Sequence, residues 1–130
     1  MKISEKPLLV VLSSNDKILS VSIIDRSGNM LAVRSRESFK KRFELSSLEG
    51  NRYSGTLAIA TLRVVNEVKD AFEEPQAIIT IHKDCKLMLL PMLSYDILIG
   101  LALELSADAD DGKIANKIER LVADTIVKPQ

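Results

Sequence analysis

Residues 54–73, SGTLAIATLRVVNEVKDAFE, decide how the chain is read. Leu57, Thr61, Val64, Val68 and Phe72 recur at helical spacing and form one face of a helix of about five turns. Ser54 is placed to cap its start, and Pro75 ends the run. Ala58, Leu62 and Val65 make a second apolar stripe, with Ile59 and Ala60 filling the gap between the two. No charge occurs from Gly55 to Leu62. The charges Arg63, Glu67, Lys69, Asp70 and Glu73 gather in the second half. A helix packed only on its own sheet carries a polar outer face. The front half is therefore either deep in the core or in contact with a second subunit. On the second alternative Leu57, Thr61, Val64 and Val68 face the sheet. Ala58, Ile59, Leu62 and Val65 then form the core of a dimer interface, with Arg63 and Asn66 at its rim.

Strand-like segments lie on both sides of this helix. Lys17–Asp25, KILSVSIID, alternates, with Leu19, Val21 and Ile23 on one side and Ser20 and Ser22 on the other. A turn at 26–29, with Gly28 suited to positive φ, leads into the returning strand Met30–Ser35. After the helix, Gln76–His82 and Lys86–Leu93 read as strands joined by a tight turn over Lys83–Asp84–Cys85. That places Cys85 at the surface. Pro91 suits a strand end, an edge or a bulge. Tyr95–Leu103, YDILIGLAL, is apolar on both faces and so belongs in the middle of a sheet covered on both sides. Gly100 is expected beneath a helix. Asp108, Asp110 and Asp111 lie in an acidic link that caps an amphipathic helix, Lys113–Val127. Pro7–Asn15 suits a short helix with Pro7 in its first turn and Ser4 as cap, although Val10–Val11 would also suit a strand. The order is (α)–β–β–α–β–β–β–α, an α+β arrangement with helices on both faces of one antiparallel sheet.

Composition narrows the function classes. The 130 residues make one domain the default reading. Eighteen basic residues balance eighteen acidic ones, so no surplus charge draws the chain to nucleic acid or an anionic membrane. Two Tyr, three Phe and no Trp are too few for a base-stacking platform. No stretch approaches the roughly 20 apolar residues of a membrane span. With one cysteine and no secretory leader, a cytoplasmic setting is expected.

Catalytic and cofactor signals are weak. His82 and Cys85 supply two ligands where a structural zinc site needs about four. They also lack an orienting third group for nucleophilic catalysis. The glycines at 28, 50, 55, 100 and 112 fit no phosphate-binding loop, and the aspartates lack the calcium-loop frame. The reading is therefore a non-enzyme without metal or cofactor. The connection 36–52, RESFKKRFELSSLEGNR, is basic, and Phe39 and Phe43 are spaced to anchor a helical turn. Arg36, Lys40, Lys41 and Arg42 form either a solvated loop or a patch for an acidic partner.

The segment ILSVSIIDRSGNMLAVRS resembles the opening hairpin of roadblock (dynein light chain) domains, including prokaryotic members. Asp25, Gly28 and Leu31–Ala32 sit where that hairpin's pattern puts them, and Gly55, Ala58 and Ala60 match its small residues early in the long helix. The resemblance covers about residues 15–127 and implies a profilin-like sheet in the order 2-1-5-4-3. It also implies a homodimer formed through the helix between strands two and three and the neighbouring strand edge. Such members act as scaffolds or as regulators of small Ras-like GTPases. The long basic connection at 36–52 departs from the better-known members. The alternative reading is a PAS-like sensor domain, which shares the strand order and binds a small ligand.

Overall fold

The computed structural model describes residues 5–42, 47–105 and 110–127, with the side chains of 41–52, 54, 126 and 127 outside that description. Helix α1 spans Lys6–Ser14, followed by strands β1, Ile18–Asp25, and β2, Met30–Ser35. Two helices follow, α2 at Glu37–Arg42 and α3 at Ser47–Phe72. Strands β3, Ile78–Ile81, and β4, Lys86–Met92, precede a 3-10 turn at Leu93–Tyr95. Strand β5, Ile97–Leu103, and helix α4, Asp111–Val127, complete the described chain. The five strands form one antiparallel sheet in the order β2-β1-β5-β4-β3.

Strand β5 is central, as its two-sided apolarity required. It pairs with β1 from Ile18↔Leu103 to Asp25↔Ile97, and with β4 from Lys86↔Leu103 to Met92↔Ile97. Every β5 residue but Gly100 is buried. On one face, Ile18, Val21, Ile23, Met88, Leu90, Ile97, Ile99 and Leu101 meet Leu8 and Val11 of α1 and Ala115, Ile118 and Val122 of α4. This is the larger core. On the other face, Ile24 and Leu98 meet Ala58 of α3, while Leu19 and Ala102 pack with Phe39 of α2 and with Cys85.

Three features depart from the sequence expectation. Helix α3 starts seven residues before Ser54, so Ser54 is not its cap, and the basic connection is largely helical. It ends at Phe72 because Glu73 turns into the left-handed region at φ 66° and donates its N–H to the Lys69 carbonyl. Gly100 lies among strands: a Cβ there would first meet Ser22 Oγ at 2.6 Å, then side chains of Ile24 and Leu89. The N-cap of α1 is Glu5, without a side-chain capping bond, and Ser4 lies outside the described residues.

Two contacts tie the layers together. The β1–β2 turn is held by the Asp25 carboxylate, which accepts from the backbone N–H groups of Ser27 and Asn29 and from the Asn29 amide. Burial pushes this carboxyl up, but the donors from Asn29, Ser27 and Gly28 outweigh it and hold it below its ordinary value. At the tip, Gly28 adopts φ +89° and abuts α3: a Cβ there would collide with the Cα of Gly55. On the opposite face, the buried Lys86 ammonium pairs with Asp111 in the first turn of α4. The Lys86 side chain is 7% exposed and Asp111 32%.

Gly28→Ala should destabilise by about 2–4 kcal/mol, since it adds backbone strain to a clash that no rotamer can relieve. Gly100→Ala should cost clearly less, because the Ser22 hydroxyl can rotate away. Denaturant melts of the two variants test this order. Asp111→Ala should cost about 2 kcal/mol by leaving a buried ammonium unpaired. Adding Lys86→Met should recover most of that loss, and a double-mutant cycle reads the coupling.

Candidate functional site

Helix α3 runs for 26 residues, about 39 Å at 1.5 Å per residue. Its described inner contact is narrow. Ala58, Thr61 and Val65, spaced i, i+3, i+7, are 0%, 1% and 2% exposed and hold the helix to the sheet. Leu57, Leu62 and Val68 flank them half-buried. The outer face carries Ile59, exposed to 66%, together with Val64, Ala60, Arg63, Asn66 and Glu67.

The two stripes expected from the sequence are thus rotated. Thr61 faces the sheet as expected, but Val64, assigned inward, is exposed. Ala58 and Val65, assigned to a dimer interface, are buried within the chain, Ala58 against Ile24 and Leu98. Ile59, Arg63 and Asn66 do lie outward, and Leu62 sits at the boundary. The fully apolar front half fixes a helix but not its rotation. Small size was the missed signal: Ala58 faces the sheet where the helix approaches most closely, beside the Gly28–Gly55 contact.

The sheet also has an edge strand at β3. Strand β3 pairs only with β4, through Ile78↔Leu89 to Ile81↔Lys86. Ile79 and Ile81 are exposed, the latter to 76%. Their cross-strand partners Met88 and Lys86 face α4, so both isoleucines stand on the α4 side of the sheet. On that side Gln76, just before β3, hydrogen-bonds Asn116 of α4. Pro91 lies beyond the last β3 pair, where a missing N–H breaks no bond to that strand.

The residues of the basic connection do not form one surface. The Arg36 guanidinium donates to the carbonyls of Leu12, Asn15 and Ile18, fastening the end of α1 to the start of β1. Lys40 bridges Glu37 at 3.6 Å within α2. The side chains of Lys41 and Arg42, like Phe43 as a whole, lie outside the described residues. Cys85 is 5% exposed beside Leu19, Phe39, Leu87 and Ala102, so the expected surface thiol is a core residue. It is the following strand, anchored by the His82 N–H donating to the Cys85 carbonyl, that draws it inward. His82 meets Thr80 Oγ1 at 2.8 Å on the exposed hairpin. Among the described residues no group of three or more His, Cys, Asp or Glu could hold a metal ion. No described helix is long and apolar enough to cross a membrane.

No protein-family model and no curated protein sequence matches the chain. Solved structures do. A Roadblock/LC7 domain from Streptomyces avermitilis superposes with a TM-score of 0.70 at 8% identity, over 97% of this chain and 96% of that one. Myxococcus xanthus MglB gives 0.66 at 10% identity, over 92% and 91%. The gliding protein MglB from Thermus thermophilus gives 0.66 at 15% identity, over 92% and 84%. The chain has the roadblock/LC7 fold, as the hairpin and strand order led us to expect.

Thr61 Oγ1 is buried without a hydrogen-bond partner among the described residues. Thr61→Val should therefore stabilise the protein by about 1 kcal/mol, readable in a denaturant melt. Cys85 should resist a thiol reagent in native buffer and react at the rate of local opening, rising to full reactivity in denaturant.

Proposed function

We propose that this roadblock/LC7-fold chain is a non-enzymatic scaffold or regulatory module that works as a homodimer through the outer face of α3. The observation that carries the reading is Ile59. It is large, apolar and 66% exposed on a helix whose inner contacts are already satisfied by Ala58, Thr61 and Val65. Ala60 lies on the same exposed face, Val64 sits on its far flank, and Arg63 and Glu67 lie between Ile59 and Val64. A twofold axis would pair this face with itself. Helix contact alone is narrow, and a stable interface buries about 800 Å² per partner. The unpaired backbone edge of β3 offers further contact beyond the helix.

The regulated partner in this reading is a small Ras-like GTPase in the cytoplasm. Support comes from the resemblance of the opening hairpin to roadblock domains and from fold neighbours that include MglB proteins. The side chains positioned by this fold support docking better than chemistry: His82 is engaged with Thr80 and Cys85 is buried. Binding is tested with purified Ras-like GTPases of the source organism in their GDP and GTP states. A preference for one state supports the assignment, and failure to bind any of them removes it.

Light scattering should give twice the chain mass at tens of micromolar. Ile59→Glu combined with Val64→Glu should yield a folded monomer, since both side chains are already exposed in the single chain and charge is disfavoured only at a dry interface. Val65→Glu should instead unfold the protein. A monomeric parent, or a double variant that stays dimeric, would overturn the α3 interface.

A further inference from the structure

We infer that the groove between α1 and α4, on the side of the sheet away from α3, is a docking site for an acidic amphipathic helix of a partner protein. This is independent of the α3 reading and uses the opposite face of the molecule.

The two helices run antiparallel over the sheet. The Lys117 ammonium of α4 donates to the Ser14 carbonyl, at the end of α1, at 3.3 Å. Leu121, one turn further along α4, lines the same groove as Leu9 and Val10, one turn back along α1. The groove has a volume of about 430 Å³. Leu9 is 45% exposed, although its neighbours Leu8 and Val11 lie in the core. The polar residues of the α1 wall are already satisfied. Ser13 donates its hydroxyl to the Leu9 carbonyl at 2.8 Å, and Ser14 donates to the Val11 carbonyl at 2.6 Å. Covering them strands no donor, so the cost of burial is low. The groove is open along its outer side, whereas a small molecule needs enclosure. Two neighbouring helices make a furrow in which the side-chain ridge of a third can lie.

Charge selects the occupant. Lys113, Lys117 and Arg120 follow at i, i+4 and i+7 along the exposed side of α4. Among the described residues none of the three forms an ion pair. Lys113 and Lys117 are like-charge neighbours one turn apart, which disfavours the helix until an anion joins them. The nearby acids are mostly engaged. Asp110 accepts from the Lys113 N–H, Asp111 pairs with Lys86, and Glu5 pairs with Arg34. Asp124, one turn beyond Arg120, pairs with none of the three. Lys6 adds a further exposed cation on α1. The Lys117 ammonium has three donors, and Ser14 uses one. A helix whose apolar stripe covers Leu9, Val10 and Leu121, and whose flank carries carboxylates, meets both the apolar walls and the basic border.

Two fluorescein-labelled helical peptides of about five turns test this. They share one leucine stripe and differ only in flanks of glutamate or of lysine. By fluorescence anisotropy the glutamate peptide should bind at least about tenfold more tightly than the lysine peptide. Leu9→Gln changes an exposed side chain, so it should abolish binding and leave the denaturant melt unchanged. Lys113→Glu combined with Lys117→Glu should reverse the preference. Ile59→Glu combined with Val64→Glu should bind as the parent does, whatever its oligomeric state. Equal binding of the two peptides, no binding of either, or binding that survives Leu9→Gln overturns the inference. Co-sedimentation with phosphatidylserine vesicles in the absence of peptide binding also overturns it, and marks the basic face as a membrane contact instead.

Discussion

Strand β5 is paired along its whole length on both edges and apolar on both faces, which leaves water little access to it outside Gly100. A seven-residue strand of that kind is stable only when two further strands and two separate layers of helix enclose it. Much of the remaining architecture answers that requirement. Strands β1 and β4 occupy its edges, α1 and α4 cover one face, and α3 with α2 covers the other. The Lys86–Asp111 pair fixes where α4 begins, and the Arg36 guanidinium fixes where α1 ends. Both polar anchors sit at helix termini, where backbone groups lack intrahelical partners.

The two faces are covered unequally. The α1/α4 side is a continuous cluster of large side chains. The α3 side has Ser20, Ser22, Gly100 and Ala102 at its centre, and α3 reaches it with alanine, threonine and valine. Small residues allow close approach but give little apolar contact. A long helix with so narrow an inner contact keeps much of its surface free for association. That inequality, more than any one residue, favours reading the α3 side as the working surface.

Much of this was legible in the sequence. Alternation in Lys17–Asp25 and the Gly28 turn marked the first hairpin, and the two-sided apolarity of YDILIGLAL marked the central strand. Those signals are local and strong. The rotation of α3 was not legible, because in a charge-free run several rows of apolar residues are equally plausible inner faces. The contact between Gly28 and Gly55, which settles that rotation, is between residues far apart in the chain. The start of α3 was hidden for a related reason: SLEGNRY carries no apolar periodicity to extend the pattern backwards. Arg36 looked like one of several basic surface groups, and only tertiary structure shows its guanidinium committed to three carbonyls. Cys85 looked exposed because a turn precedes it, yet the register of β4 points it inward.

The slender anchoring of α3 bears on the order in which the protein comes apart. A helix whose described buried anchors are three small or branched side chains and one backbone contact opens at lower free energy than the sheet beneath it. Its amides exchange with solvent through that partial opening while the β1–β5–β4 ladder remains closed. Any partner that binds the closed helix draws down the open population by mass action, so the rigidity of this face is a property of its occupancy as much as of the chain.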